Sequence, residues 1–207
     1  MPTEADALTR LPNRLALSNA LKQSIDKHAP VAVALLDIDG FLEINTEQGQ
    51  NAGDVVLREL AALLSELVPG QAYHFSGDEF AVALTGSTLE QAFLKVEGLR
   101  AQIHASDRFG LPAGQRLAVT IGVAQYPRDA KDAPGLLQAA DAALSNAKES
   151  GRNQVGLPPN EEMVMKSCYY PASSIRRLKA LGERLGRKDS PLLREALDDL
   201  FRKYDVR

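Results

Sequence analysis

The pattern of hydrophobic and polar positions divides the first part of the chain into helices and strands. Apolar residues recur at helical spacing over 15–25 and predict a first helix. The unbroken apolar run at 31–36 predicts a buried strand. A short helical piece at 41–45 and a turn over 49–54 are expected next. A long amphipathic helix then covers 55–67.

The middle of the chain continues this alternation. Two apolar runs of strand composition flank a polar tip between 73 and 84, which predicts a β-hairpin. Helices are predicted over 89–103 and 136–147, a strand over 117–124, and a last short strand from Val155. Strands and helices mixed in this order indicate an α/β (α+β) domain with a central sheet.

The C-terminal residues form a separate pattern. A short strand is predicted over 163–170, and two amphipathic helices follow it. The second helix is expected to open at Ser190-Pro191, as N-cap and first helical residue, and to carry a broad apolar face over 192–204. A unit of this size buries too little apolar surface to be stable alone, so we expect it to dimerise.

Charge and linker composition place the boundary between the two units. Residues 161–207 hold 11 Lys and Arg against 8 Asp and Glu, a net of +3, whereas the whole chain carries −3. The change coincides with a Pro-Pro-Asn sequence typical of linkers. We therefore predict a first domain at 1–157, a linker at 158–162 and a second unit at 163–207.

Overall composition narrows the functional classes. A net charge of −3 over 207 residues does not favour binding of the whole chain to nucleic acid or to a membrane surface. Cys168 is the only cysteine, and no apolar run approaches the roughly 18 residues of a membrane span. We expect a protein of the reducing cytoplasm with no membrane partner.

Acidic residues at two element ends are the main chemical signal. The predicted hairpin tip reads Ser76-Gly77-Asp78-Glu79, and adjacent carboxylates repel unless a cation or a proton lies between them. Asp37 and Asp39 follow the strand 31–36, at the carboxyl edge where α/β sheets usually bind ligands. These positions predict a metal or phosphate site, with solvated turns as the alternative.

Two further polar pairs have both a functional and a structural explanation. Asn45 and Asp54 bracket the predicted turn, where such residues also cap helices. Lys148 and Arg152 stand four apart at a helix end. They can clamp a polyphosphate or only complement the helix dipole.

Six segments, in this order, resemble the GGDEF family of diguanylate cyclases over about residues 6–156. The segments are DALTRLPNR at 6–14, DIDGFLEIN at 37–45, G-x-x-x-GD at 49–54, SGDEF at 76–80, VTIGVA at 119–124 and ADAALSNAKESGRN at 140–153. The resemblance implies a nucleotidyl-cyclase and polymerase-palm-like fold, with a mainly antiparallel sheet flanked by helices. It also implies condensation of two GTP into cyclic di-GMP and pyrophosphate at the interface of a homodimer, with Mg²⁺ or Mn²⁺ as cofactor.

The resemblance also implies roles for individual residues. The implied metal ligands are Asp37, the carbonyl of Ile38 and Asp78, and the implied catalytic residues, which assist deprotonation of the 3′-hydroxyl, are Asp78 and Glu79. The implied substrate-binding residues are Asn45 and Asp54 at guanine, Gly77 beside the nucleotide, and Lys148 and Arg152 at the triphosphate.

The sequence departs from the family pattern at three informative positions. Leu42 stands where the family usually has lysine, and His74 where it usually has arginine. Ser76 replaces the first glycine of the GGDEF motif. These departures lower the expected activity, but the metal, base and guanine positions are retained.

The C-terminal pattern of strand, helix, turn and helix over 163–204 resembles a ribbon-helix-helix domain. Such domains pair two strands into a ribbon that enters the DNA major groove. The outward residues would be Met165, Ser167 and Tyr169, a poor set for reading bases. Two hypotheses follow: a cyclase whose tail only dimerises, or a degenerate GGDEF domain that binds GTP or cyclic di-GMP and regulates a DNA-binding dimer.

Overall fold

The computed structural model describes residues 5–158, 170–185 and 189–204. By its internal contacts the chain divides into two compact units, Met1–Asn160 and Glu161–Arg207. The first unit contains the sheet and most of the helices, and the described part of the second unit is helical.

The first unit alternates helices and strands along the chain. Its helices are α1 (Arg14–Asp26), α2 (Phe41–Gln48), α3 (Gln50–Leu67), α4 (Leu89–Ala105) and α5 (Ala133–Glu149). Its strands are β1 (Val31–Ile38), β2 (Ala72–Ser76), β3 (Glu79–Thr85), β4 (Val119–Tyr126) and β5 (Val155–Gly156).

The five strands form one mixed sheet in the order β2-β3-β1-β4-β5. Four of the strands pair antiparallel, and the short β5 lies parallel to β4. β1 is therefore central, with Asp37 opposite Glu79 of β3 on one side and Thr120 of β4 on the other. The predicted α/β architecture with a sheet flanked by helices is confirmed. The sheet was predicted to be mainly antiparallel, and all of its strand pairs except β4–β5 are antiparallel.

Helices cover both faces of this sheet, so every residue of β1 is buried. Ala32, Ala34 and Leu36 belong to a cluster that includes residues of α3 and α4. Val31, Val33 and Leu35 alternate with them and join a cluster that includes residues of α1 and α5. Burial on both faces explains why this strand reads as an unbroken apolar run rather than an alternating one.

Two predicted boundaries are wrong in detail. The strand predicted over 117–124 lies at 119–126. The turn predicted over 49–54 is confined to Gly49, and α3 begins at Gln50. Gly53 is thus a residue of the helix. A Cβ there would overlap Asn45 Oδ1 and lie 3.1 Å from Phe41 Cζ, so close packing against α2 explains the glycine.

The second unit contributes α6 (Ala172–Leu185) and α7 (Asp189–Lys203). α7 begins one residue before the predicted N-cap Ser190. The predicted strand over 163–170 lies, apart from its last residue, outside the described residues. Of the helices in the described ranges, none has the length and apolar character to cross a membrane.

Candidate active site

The C-terminal end of β1 places a buried carboxylate against the end of α5. The Asp37 side chain is 11% exposed, and its Oδ2 lies 2.7 Å from Nζ of Lys148. Burial raises the pKa of Asp37, and the neighbouring charges of Asp78 and Glu79 raise it further, while Lys148 opposes the shift. Three carboxylates and an ammonium group therefore influence one another at this edge of the sheet.

The β2–β3 hairpin brings its tip to the same edge. Gly77 has φ +51°, the left-handed region that glycine adopts most easily, and Asp78 completes the turn before β3. The Ile38 N–H donates to the Asp78 carbonyl at 3.4 Å, which ties the tip to β1. Ser76 Oγ donates to Glu79 Oε2 at 2.8 Å and so orients that carboxylate.

His74 joins the hairpin to the N-terminal turn of the domain. Its Nδ1 lies 3.0 Å from Asp6 Oδ1, and its Nε2 lies 2.9 Å from the Gly77 carbonyl oxygen. Both partners are oxygen acceptors, so each ring nitrogen of His74 faces an acceptor. The Asp6 oxygen also accepts the N–H groups of Leu8 and Thr9. His74 thus makes two polar contacts at the position where the family usually has arginine.

The donor set at this edge fits a hard divalent cation. The predicted ligands are the carboxylate oxygens of Asp37 and Asp78 and the backbone carbonyl of Ile38. Within the described residues, no three His, Cys, Asp or Glu side chains form a group that could by itself hold a metal ion. Mg²⁺ is usually bound by one or two carboxylates together with water and substrate phosphates, which suits a pair of aspartates.

The two residues predicted at guanine lie on neighbouring helices. Asn45 is on α2, and Asp54 follows Gly53 on α3. The close approach of Asn45 to Gly53 brings the two helices together at this point. Neither residue has the capping role that was the structural alternative: the N-cap position of α3 is Gly49, and Asp54 is five residues into the helix. Asn45 lies on a helix as predicted. The interpretation that placed Asp54 in a turn was wrong, because Asp54 lies on α3.

The residues predicted at the triphosphate lie on either side of the α5 C-terminus. Lys148 is in the last turn, and Arg152 follows with 54% of its side chain exposed. The Arg152 N–H donates to the Ala147 carbonyl at 3.1 Å and closes the helix end. Arg152 Nη1 lies 3.7 Å from Asp39 Oδ1. Each cation therefore lies beside an acidic side chain: Lys148 beside Asp37 near the end of β1, and Arg152 beside Asp39 just after it.

The fold thus assembles the predicted residues in two groups. The first contains Asp37, Ile38, Gly77, Asp78, Glu79 and Lys148 at the edge of the sheet. The second contains Asn45 and Asp54 on the α2–α3 pair. Arg152 contacts Asp39 rather than a member of either group.

Sequence reasoning missed the group that surrounds Asp39. Thr120, fully buried on β4, donates its hydroxyl to Asp39 Oδ1 at 2.7 Å. The Asn153 N–H donates to Asp39 Oδ2 at 3.0 Å, and Arg100 Nη1 donates to Asn153 Oδ1 at 2.8 Å. The one available signal was a threonine inside the apolar run of β4, a polar residue that needs a partner when buried.

Comparison with known proteins identifies the family. The sequence profile described as "Diguanylate cyclase, GGDEF domain" matches residues 3–154. The chain is 34% identical over 155 residues to MucR of Pseudomonas aeruginosa, named a bifunctional diguanylate cyclase/cyclic di-GMP phosphodiesterase. That match covers 72% of this chain and 22% of MucR.

A second relative is an uncharacterized membrane protein of Staphylococcus saprophyticus. It is 35% identical over 148 residues, which is 69% of this chain and 41% of the relative. The chain thus spans about two fifths of the length of the curated relatives it matches first.

Solved structures agree with the fold. The GGDEF domain of TpbB (YfiN) from Pseudomonas aeruginosa is 31% identical, with a TM-score of 0.67 over 74% of this chain and 99% of that chain. The GGDEF domain of DgcB from Caulobacter crescentus, solved in complex with c-di-GMP, has a TM-score of 0.68 over 77% of this chain and 98% of that chain. At 24% identity the DgcB structure supports the fold alone. Together with the profile match, these findings show that the chain belongs to the diguanylate cyclase family of GGDEF domains.

Proposed function

We propose that this chain condenses two GTP into cyclic di-GMP with release of pyrophosphate. The observation that carries the proposal is the meeting of Asp37, the Asp78-Glu79 pair and Lys148 at one edge of the sheet. This arrangement offers carboxylates to metal ions and to a hydroxyl proton, and an ammonium group to phosphate. All three are needed when a 3′-hydroxyl attacks an α-phosphate.

The residues at the sheet edge divide metal binding and proton transfer between them in the proposed reaction. Asp37, Asp78 and the Ile38 carbonyl would hold Mg²⁺ or Mn²⁺, and bound metal would neutralise charge that develops at the phosphate. Asp78 or Glu79 accepts the proton of the attacking 3′-hydroxyl. The hydrogen bond from Ser76 fixes the Glu79 carboxylate, so replacement of the first motif glycine supports this geometry.

Substrate binding divides between the two ends of GTP. Lys148 and Arg152 bind the triphosphate, and the Gly77 amide lies beside the nucleotide. Asn45 and Asp54 bind guanine, whose N1–H and N2–H₂ donors need oxygen acceptors. Lys148 Nζ lies 2.7 Å from Asp37 Oδ2, so a bound triphosphate would share this ammonium group with the carboxylate.

The reaction requires two bound GTP molecules, and we propose that a homodimer supplies them. The C-terminal unit exposes several large apolar side chains, among them Leu185, Leu193, Leu197, Leu200, Phe201 and Tyr204. Leu192 is the only buried apolar residue among the described side chains of this unit. A unit with so small a core is best completed by a second copy of itself.

A nucleotide-sensing role without catalysis is the competing hypothesis. Leu42 is 75% exposed where the family usually has a lysine, so one cation is absent near α2. The further step, control of a DNA-binding ribbon, depends on residues 163–169, which lie outside the described part of the chain. We place the cyclase first because Asp37, Lys148 and the Asp78-Glu79 pair are retained at one edge of the sheet.

The decisive test is incubation of the purified full chain with GTP and Mg²⁺, followed by detection of cyclic di-GMP and pyrophosphate. Asp78→Ala should abolish product, a loss of at least about a thousandfold, because it removes a metal ligand and a candidate base together. Asp107→Ala, which changes a surface carboxylate 80% exposed, is the control and should leave the rate unchanged.

The outcomes separate the two hypotheses. Product that forms with the wild-type chain and is lost in Asp78→Ala establishes the cyclase. A wild-type chain that binds GTP or cyclic di-GMP as a stable dimer but forms no product would overturn it in favour of nucleotide sensing.

A further inference from the structure

Asp39 is a buried carboxylate that the proposed reaction does not use. Its side chain is 11% exposed, and both oxygens already accept short hydrogen bonds. Oδ1 accepts the Thr120 hydroxyl at 2.7 Å, and Oδ2 accepts the Asn153 N–H at 3.0 Å. The contrast with Asp37, which faces Lys148, indicates a different task for the second aspartate.

The segment held by Asp39 has an unusual backbone. Gly151, Arg152 and Asn153 have φ of +119°, +62° and +44°, three successive residues in or near the left-handed region. Apart from glycine, asparagine and aspartate, residues rarely adopt this conformation, so a turn with Arg152 in it needs external bonds to stay there. The bond from the Asn153 N–H to Asp39 is one of them.

Further bonds hold the same turn from other sides. The Asn153 N–H also lies 3.0 Å from Thr120 Oγ1. Arg100, on α4, donates from Nη1 to Asn153 Oδ1 at 2.8 Å while Glu97 binds the rest of its guanidinium group. Strands β1 and β4 and helix α4 therefore all fix the turn after α5.

This turn and the helix end before it carry the two cations assigned to the triphosphate. Lys148 stands in the last helical turn before it, and Arg152 is its middle residue. Arg152 also lies 3.7 Å from Asp39 through its own guanidinium group. A displaced turn would move Arg152 directly and would loosen the helix end that presents Lys148.

We infer that Asp39 is a positioning residue that, through Thr120 and Asn153, fixes the turn after α5 and so the places of Arg152 and Lys148 at the triphosphate. The inference rests on the proposed function for the identity of the ligand. It gives the aspartate within β1 and the aspartate just beyond it separate roles: Asp37 faces the reacting centre, and Asp39 orients the cations beside it.

Binding of two nucleotides of different phosphate length tests the inference. Asp39→Asn removes the charge and one acceptor, and Thr120→Val removes the hydroxyl at nearly constant volume. For both variants of the full chain, we expect the Kd for a non-hydrolysable GTP analogue to rise about tenfold. The Kd for GMP should stay within about twofold, because the guanine contacts are on α2 and α3.

Thr120→Ser, which keeps the hydroxyl, is the matched control and should bind both nucleotides like the wild type. A parallel weakening of GTP and GMP in Asp39→Asn and Thr120→Val would overturn the inference and assign Asp39 a general structural role. Unchanged GTP binding in Thr120→Val would overturn it as well.

Limited trypsin cleavage gives a measurement that needs no nucleotide. Thr120→Val removes the hydrogen bond between the Thr120 hydroxyl and the Asn153 N–H. Cleavage of the Arg152–Asn153 peptide bond should therefore be at least fivefold faster in this variant, while cleavage after Arg128 keeps its wild-type rate. Equal rates at Arg152 in both proteins would contradict the inference. A wild type that binds GTP but forms no cyclic di-GMP would refute the proposed function and leave these comparisons intact.

Discussion

Asp37 and Asp39 show how two aspartates, two positions apart, acquire different chemistry. Both are largely buried, with side chains 11% exposed. Asp37 lies within β1 opposite Glu79, and burial near other carboxylates raises its pKa. Asp39 lies just beyond the strand and is occupied by hydrogen-bond donors from Thr120 and Asn153. The partners that the fold supplies, rather than the residue type, decide which aspartate is available to a ligand.

Gly53 is a second position where one residue determines the site. On propensity alone, Gly53→Ala in the interior of α3 should stabilise the helix by about 1 kcal/mol. The added Cβ would instead overlap Asn45 Oδ1, a cost of about 1–3 kcal/mol that offsets this gain. We expect the melting temperature to change by only a few degrees, whereas the preference for GTP over ATP falls about tenfold as Asn45 is displaced.

Nucleotide binding and thermal unfolding of Gly53→Ala measure both effects. Gly98→Ala is a matched control, because Gly98 lies inside α4 and a Cβ there meets nothing within 4 Å. This control should gain about 1 kcal/mol of unfolding free energy and bind GTP like the wild type. Unchanged GTP preference in Gly53→Ala would show that Asn45 does not contact guanine.

At the scale of elements, the hairpin is held from both sides. On the β1 side, the Ile38 N–H donates a hydrogen bond to the Asp78 carbonyl. On the other side, the His74 N–H donates to the Pro12 carbonyl at 2.9 Å, and the His74 ring joins Asp6 to Gly77. Movement of the N-terminal turn would therefore reach the tip that carries Asp78.

Asp6 makes this connection dependent on pH. Burial alone would raise the pKa of Asp6, but bonds from Thr9 and the charge of His74 together lower it below the usual value of 3.8. A lowered pKa contributes stability above the unfolded value, and this contribution is lost as the pH falls through the folded value. Asp6→Asn should therefore cost about 1–2 kcal/mol of unfolding free energy at pH 7 and less at pH 3.

Urea unfolding at the two pH values tests the Asp6 prediction. Asp132→Asn is the control, because Asp132 caps α5 by accepting the Gly135 N–H, and asparagine caps a helix equally well. A difference between wild type and Asp6→Asn that is the same at pH 7 and pH 3 would exclude a role for Asp6 ionisation.

Elements with a strong periodic signal were predictable, and those shaped by another element were not. The unbroken apolar run at 31–36 fixed the central strand because burial on both faces leaves no polar positions. The start of α3 was misplaced because a glycine usually breaks a helix, whereas Gly53 is there to accommodate Asn45. No local pattern contains that contact.

The same distinction applies to the site. That Asp37, Asp78 and Lys148 lie at one site was implied by the resemblance of their motifs to the GGDEF family. The Asp39 group was missed because Thr120 and Asn153 stand 81 and 114 positions away from Asp39 in the sequence. The left-handed backbone at Arg152 and Asn153 could not be predicted either, because glycine is the residue that usually indicates this conformation and neither of them is glycine.

At the scale of the whole molecule, the C-terminal unit presents an apolar surface. Its described helices leave a row of apolar side chains exposed on α7: Leu197 is 49% exposed, and Phe201, one turn further, is 45% exposed. Residues four apart share one face of a helix, so the two side chains form part of a single apolar surface. We assign this surface to a second copy of the chain.

The double variant Leu197→Lys with Phe201→Lys should therefore be a monomer. In a symmetric dimer each substitution acts twice, and burial of such side chains contributes about 1.5–3 kcal/mol apiece, so the dimer Kd should rise at least a thousandfold. Sedimentation over a range of protein concentrations measures the change. Leu94→Lys is the control, since Leu94 is 71% exposed on α4 of the first unit and should not affect association.

Because each subunit would bind one GTP, cyclic di-GMP formation should fall with the dimer fraction. A monomeric variant that keeps the wild-type rate would show that the C-terminal unit is not what brings two nucleotides together.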